Sequence, residues 1–124
     1  MIYGIGVDLI ELDRIKQAIE RNGQRFIDRL YTAEEQAYCT QRPLYACYAA
    51  RFTAKEAFLK ALGTGLRQGM RWRDIEVCTD DLGKPHLLIH GYLKERCTAD
   101  GLQHIHLSLS HSTTYAIAQV VIEC

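Results

Sequence analysis

Arg51-Phe52-Thr53-Ala54-Lys55-Glu56-Ala57-Phe58-Leu59-Lys60-Ala61-Leu62-Gly63-Thr64-Gly65 is the stretch on which the reading of this chain turns. It closes a helix predicted over roughly 44–62, for which Pro43 suits the first turn and Gly63 the end. Tyr45, Tyr48, Phe52, Leu59 and Leu62 form its apolar stripe. At about 100° per residue, Ala49, Thr53, Glu56 and Lys60 fall within an arc of about 60° beside that stripe. Small, hydroxylic, acidic and basic side chains thus share one ridge, which runs out at Gly63-Thr64-Gly65. Two plainer readings stand beside a functional one. Glu56 and Lys60 can be an exposed i,i+4 ion pair worth roughly 0.2–0.5 kcal/mol. Gly63 can be a helix C-cap, or part of a loop whose backbone amides meet a phosphate.

The second informative stretch is Ile5-Gly6-Val7-Asp8-Leu9, within a strand predicted over 2–10. Ile5, Val7 and Leu9 lie on one face, and Gly4, Gly6 and Asp8 on the other. The glycines clear space beside the carboxylate, so another backbone or a ligand can approach it. Asp8 can equally be a cap for the turn that follows. Taken together, the two stretches offer two hard oxygen ligands, a cation next to one of them, and amides able to hold phosphate. Magnesium-assisted phosphoryl or phosphodiester chemistry needs those parts.

The remaining elements follow from capping and period. Asp13 is a good N-cap for a helix ending at Asn22-Gly23, with Ile15 and Ile19 inward and Arg14, Gln17 and Arg21 on the outer face. Thr32-x-x-Glu35 is a capping box that opens a short helix fading near Thr40. Beyond Gly69 the pattern turns to β. Residues 75–77 and 86–89 flank a hairpin turn containing Gly83, and residues 92–100 predict a helix ending at Gly101. Ile105, Leu107 and Leu109 alternate with His104, His106, Ser108 and Ser110, and Ser112-Thr113-Thr114 leads into a strand over 115–122. Early helices and late antiparallel strands give an α+β fold class, read as a single domain over 1–124.

Composition narrows the function classes. The chain is 48% hydrophobic and 24% charged, as in ordinary globular proteins, and its net charge of zero argues against a general nucleic-acid binder. Charge is nonetheless uneven: Arg14, Lys16, Arg21, Arg25 and Arg29 face only Glu20 and Asp28, a patch suited to one acidic partner. The odd number of cysteines, five, and the absence of C-x-x-C spacing predict free thiols in a reducing compartment. With no basic-then-apolar leader and no run of ~18 apolar residues, a cytoplasmic protein without a membrane span is expected.

Other motifs carry less. Gly4-x-Gly6 lacks the third glycine of a dinucleotide fingerprint, and Gly63-Thr64-Gly65 lacks the Gly-Lys-Ser/Thr ending of a phosphate loop. His104 and His106 share a strand face but have no third ligand in register for zinc. Ser110-His111-Ser112 offers a serine beside a histidine, yet neighbours on a strand point to opposite faces, which is poor geometry for a triad.

Three blocks carry a family resemblance: Gly4-Ile5-Gly6-Val7-Asp8-Leu9-Ile10-Glu11, the stretch from Arg51 to Ala57 with Lys60 to Gly65, and Leu107 to Ser112. Trp72 to Val77 and Gly83-Lys84-Pro85 fit as well. In this order, along nearly the whole chain, they closely resemble the holo-[acyl-carrier-protein] synthases, the small class of the 4'-phosphopantetheinyl transferase superfamily. The resemblance implies an antiparallel sheet packed with a long central helix, one half-unit per chain, and a homotrimer with sites between subunits. It also implies transfer of phosphopantetheine from coenzyme A to a serine of an acyl carrier protein, releasing 3',5'-ADP, in support of fatty acid biosynthesis. Asp8 and Glu56 become Mg²⁺ ligands, Glu56 also the proton acceptor, and Lys60 the counter-charge to the phosphates. Arg51, Lys60, Gly63, Thr64, Gly65, Ser110 and His111 hold coenzyme A, and Arg14, Arg21 and Arg25 meet the carrier. A magnesium-dependent phosphohydrolase and a non-enzymatic coenzyme A-binding module are the alternatives on the same residues.

Overall fold

Strand β1 (Ile2–Glu11) runs along helix α4 (Leu44–Leu62), and that crossing organises the molecule. The structure is a computed structural model and describes residues 1–67 and 69–124. Between β1 and α4 the chain makes α1 (Leu12–Asn22), α2 (Gln24–Leu30) and α3 (Ala33–Cys39). After α4 come a short 3₁₀ turn at Trp72–Asp74, β2 (Ile75–Thr79), β3 (Pro85–Ile89), α5 (Gly91–Ala99), β4 (His104–His111) and β5 (Tyr115–Glu123). The strands form a three-stranded sheet in the order β1-β5-β4 and a β2-β3 hairpin, with antiparallel pairing throughout. This is the α+β architecture predicted, with the long helix against the sheet.

Gly4 and Gly6 explain how closely helix and strand approach. A Cβ on Gly4 would lie 1.9 Å from the Ala61 carbonyl oxygen, and one on Gly6 1.9 Å from that of Ala57. The space the glycines clear is filled by the α4 backbone. Their face of β1 turns toward α4, while Ile5, Val7 and Leu9 point away and are 58%, 53% and 59% exposed. β5 repeats the division: Ala116, Ala118, Val120 and Ile122 are buried, and Tyr115 and Ile117 are exposed. The sheet therefore carries the core on one side and a largely apolar, open band on the other.

Three expectations need correction. The single apolar stripe on α4 is too narrow, because Ala49, Ala50, Thr53, Ala54, Lys55, Ala57, Phe58 and Ala61 are buried as well. The sheet, the α1–α3 segment and the β2-β3 hairpin all pack on this helix, so most of its circumference is interior. Asp13 is not the N-cap of α1. β1 continues to Glu11, the helix begins at Leu12, whose N–H donates to the Thr114 carbonyl at 2.9 Å, and Asp13 lies in the first turn, accepting from Gln17 Nε2 at 2.7 Å. Residues 24–30, which show no clear period in the sequence, are helical, set off from α1 by Gly23 at φ 59°.

The cysteines are not all free. Cys39 and Cys47 form a disulfide across a Cα–Cα distance of 5.5 Å, which joins the end of α3 to the start of α4, while Cys78, Cys97 and Cys124 are free thiols. Spacing rules concern fixed sequence motifs; here the tight Thr40–Pro43 link between two helices brings the sulfurs together. The predicted capping box is present, with Thr32 Oγ1 accepting from Glu35 N and Glu35 Oε1 accepting from Thr32 N. Among the described residues no helix is long and apolar enough to cross a membrane.

Candidate active site

Asp8 turns toward α4 and meets the ridge read from the sequence. Thr53 Oγ1 donates to Asp8 Oδ2 at 2.6 Å, and Lys60 Nζ donates to Asp8 Oδ1 at 3.0 Å and to the Val7 carbonyl at 3.2 Å. Asp8 is thus held by the helix rather than capping a turn. Glu56 lies on the same ridge between Thr53 and Lys60. Partial burial pushes its carboxyl above the ordinary range, and the charge of Asp8 pushes it further, against an opposing effect of Lys60. The two carboxylates feel each other across the β1–α4 crossing. Lys60 reaches over to Asp8 instead of forming the simple i,i+4 pair with Glu56.

The other cation beside Glu56 in sequence, Lys55, plays no part here. It points into the core, where its Nζ donates to Glu35 Oε1 at 2.7 Å and to the Leu30 carbonyl at 2.6 Å. Glu35 Oε2 accepts from Val77 N at 3.0 Å, so this pair ties α2, α3, α4 and β2 together.

Two carboxylates with no third protein ligand nearby suit a particular kind of ion. Among the described residues no group of three or more His, Cys, Asp or Glu could enclose a metal. Zinc wants three or four protein ligands, whereas Mg²⁺ keeps waters and takes one or two carboxylates plus phosphate oxygens. The donor set at Asp8 and Glu56 fits Mg²⁺. His104 and His106 offer no competing site: they sit on the open sheet face, with His106 Nε2 on Glu123 Oε1 at 2.5 Å.

The α4 terminus answers one of the open readings. Gly63 is a left-handed C-cap at φ 85°, and its N–H donates to the Leu59 carbonyl at 2.9 Å. That amide is committed to the helix. Beyond it, Thr64 Oγ1 donates to the Gly65 carbonyl at 2.8 Å, and Arg67 Nε donates to the Thr64 carbonyl at 2.8 Å, which shapes a short loop one turn past Lys60.

Arg51, Ser110 and His111 come together elsewhere. They line a cleft of about 290 Å³ with Tyr38, Arg42 and Cys47, and no carboxylate contributes to its wall. The Arg42 and Arg51 guanidinium carbons stack over the Tyr38 ring at 3.5 and 4.1 Å. Arg51 Nη2 donates to Thr79 Oγ1 at 3.3 Å, but its buried Nε has no partner among the described residues. Burial is the largest influence on Arg51 and lowers its pKa. A cation-rich cleft with an unanswered buried donor calls for an anion.

The predicted coenzyme A residues therefore divide into two groups. Arg51 and Lys60 are nine positions apart on α4. At about 100° per residue they lie half a turn out of phase, on opposite sides of the helix and about 13 Å apart along its axis.

Arg14 and Arg21 are exposed on α1, and Arg25 is exposed on α2. Arg25 borders a groove of about 450 Å³ with Arg29, Phe26, Phe52 and Trp72. Arg29 belongs to the basic patch read from the sequence, but sequence reasoning missed Phe26, Phe52 and Trp72 as groove residues, as it missed Tyr38 and Arg42 in the cleft. Arg42 gave no periodic signal: it precedes Pro43, outside α4, and joins Arg51 only through the Tyr38 ring on which both guanidinium groups stack. The aromatic groove gave no local signal, because Phe26, Phe52 and Trp72 come from three separate segments.

The chain and its fold are similar to those of known proteins. A model of the 4'-phosphopantetheinyl transferase superfamily matches residues 4–120. The holo-[acyl-carrier-protein] synthase of Trichlorobacter lovleyi is 47% identical to the chain over 124 residues, covering 99% of this chain and 98% of that protein. Among solved structures, holo-[acyl-carrier-protein] synthase from Neisseria meningitidis superposes with a TM-score of 0.94 at 38% identity over 100% of both chains. The synthase from Bacillus anthracis in complex with CoA (3',5'-ADP) superposes with a TM-score of 0.81 at 39% identity, covering 98% of this chain and 96% of that one.

Proposed function

The chain belongs to the 4'-phosphopantetheinyl transferase superfamily, and from that premise we propose that it is a holo-[acyl-carrier-protein] synthase. It transfers 4'-phosphopantetheine from coenzyme A to a serine of an apo acyl carrier protein and releases 3',5'-ADP. The observation that carries the assignment is the β1–α4 crossing, where Asp8, Glu56 and Lys60 meet on one ridge.

In the reaction the serine oxygen attacks the phosphorus bonded to pantetheine, and the bridging P–O bond breaks toward the nucleotide. Asp8 and Glu56 would hold Mg²⁺, which would supply Lewis-acid stabilisation of the diphosphate charge. Lys60, on a side chain 54% exposed, can leave Asp8 and follow the phosphates. Glu56 accepts the serine proton through a water, a role favoured by a carboxyl raised by burial and by Asp8. At the other end of the substrate, Arg42, Arg51, Ser110 and His111 hold the phosphorylated nucleotide, with the unpartnered Arg51 Nε among the donors. Thr64 and Gly65, past the Gly63 cap, border the diphosphate.

One chain presents these two groups on opposite sides of α4, so a single coenzyme A is best served by two copies. The open apolar band of Ile5, Val7, Leu9, Tyr115 and Ile117 supports such an assembly, and a homotrimer with sites between subunits meets both requirements. Arg14, Arg21 and Arg25 would steer an acidic carrier helix toward the aromatic groove, raising the association rate more than the final affinity. The setting is cytoplasmic fatty acid biosynthesis.

Nucleotide chromatography separates transfer from hydrolysis. With coenzyme A and Mg²⁺, 3',5'-ADP should accumulate only when apo carrier protein is present, and EDTA should stop it. Release at the same rate without carrier would make the protein a phosphohydrolase, and no release under either condition would leave it a binding module.

A further inference from the structure

We propose that Thr53 is a positioning residue that fixes the Asp8 carboxylate and leaves Oδ1 as the one oxygen presented to the divalent ion. This rests on the reading of Asp8 as a metal ligand. The two partners of Asp8 differ in kind. Thr53 is fully buried, short and β-branched, and it sits one turn before Ala57, whose carbonyl abuts Gly6. Its hydroxyl donates to Oδ2 at 2.6 Å from a backbone that the close strand–helix packing holds in place. A helical threonine can spend its proton on the carbonyl three or four residues back; this one spends it on Asp8.

Lys60, in contrast, reaches Oδ1 through a long side chain that is 54% exposed. Asp8 therefore has one fixed anchor and one exchangeable partner. With Oδ2 held by Thr53, Oδ1 is the oxygen that Lys60 would yield to a divalent cation, and Lys60 would then be free for the phosphates. A neutral hydroxyl suits the anchoring role, since it orients the carboxylate without cancelling the charge that attracts the ion. Hydrogen bonds of this type behind a metal ligand are typically worth tenfold or more in metal affinity.

Mn²⁺ titration followed by electron paramagnetic resonance, with coenzyme A saturating, tests this without reference to turnover. Thr53→Val keeps the shape and removes the donor, and should weaken Mn²⁺ binding about tenfold. Thr53→Ser should restore it to within about threefold of the parent. Thr53→Ala carries the same expectation as the valine variant and replaces it if valine is not accommodated. Parent-like Mn²⁺ affinity in a folded Thr53→Val or Thr53→Ala protein overturns the proposal. Asp8→Asn is run alongside. Loss of Mn²⁺ there, with retention in the Thr53 variants, refutes the role of Thr53 alone; retention in Asp8→Asn refutes the metal reading beneath it.

Discussion

Glu56, proposed as metal ligand and proton acceptor, carries a carboxyl that burial and the charge of Asp8 push up. Its carboxyl is raised on folding, so its contribution to stability is present when it is protonated, at pH below the unfolded value, and is lost as pH rises through the raised folded value. At neutral pH the charged side chain opposes the fold. Glu56→Gln should therefore stabilise the metal-free protein at pH 7 by no more than about 1 kcal/mol after solvent screening, seen as a higher melting temperature. The gain should disappear as pH falls through the carboxylate range, while transfer activity at pH 7 drops at least about 100-fold. Thermal melts across pH, paired with a rate measurement, check both halves. The positions of Asp8 and Glu56 on shared faces were legible from the periods of strand and helix. Lys55 was not: its partner Glu35 is 20 residues away, and no local pattern marks a lysine as buried. Arg51 was readable as a candidate ligand residue only through family resemblance, since its orphaned Nε exists only in the folded cleft.

At the scale of elements, the fit of β1 against α4 sets where the acids stand. Gly6→Ala would put a methyl group 1.9 Å from a helix carbonyl, and the two elements would have to part. Urea unfolding should show a loss of about 3 kcal/mol, with activity falling further than stability because Asp8 moves away from the ridge. The α3–α4 link makes a different prediction. Alkylation of the unreduced, unfolded protein should modify three cysteines by intact mass, and all five after reduction, because Cys39 and Cys47 are joined. The sequence led to the long helix, the hairpin and the β4-β5 pair because each has its own period and turn residues. It did not lead to α2, which is too short for a clear period, or to the true start of α1, which is set by the end of β1 and a distant carbonyl of Thr114. The α4 stripe was drawn too narrow for a related reason: small alanines look neutral in a pattern but pack tightly against glycines.

The whole molecule leaves an apolar sheet face open and sets the residues proposed to bind coenzyme A on opposite sides of α4. Both features predict association. Sedimentation at micromolar concentration should give three chains per particle, and Val7→Asp, on the exposed face, should yield a folded monomer with little transfer activity. A fully active Val7→Asp monomer would contradict sites shared between subunits. The most direct test of the account is the intact mass of an apo acyl carrier protein after incubation with this protein, coenzyme A and Mg²⁺. The account predicts a gain of one phosphopantetheine on a serine, absent with EDTA and with Asp8→Asn; a carrier of unchanged mass, across several carriers and under conditions where coenzyme A binds, would contradict it.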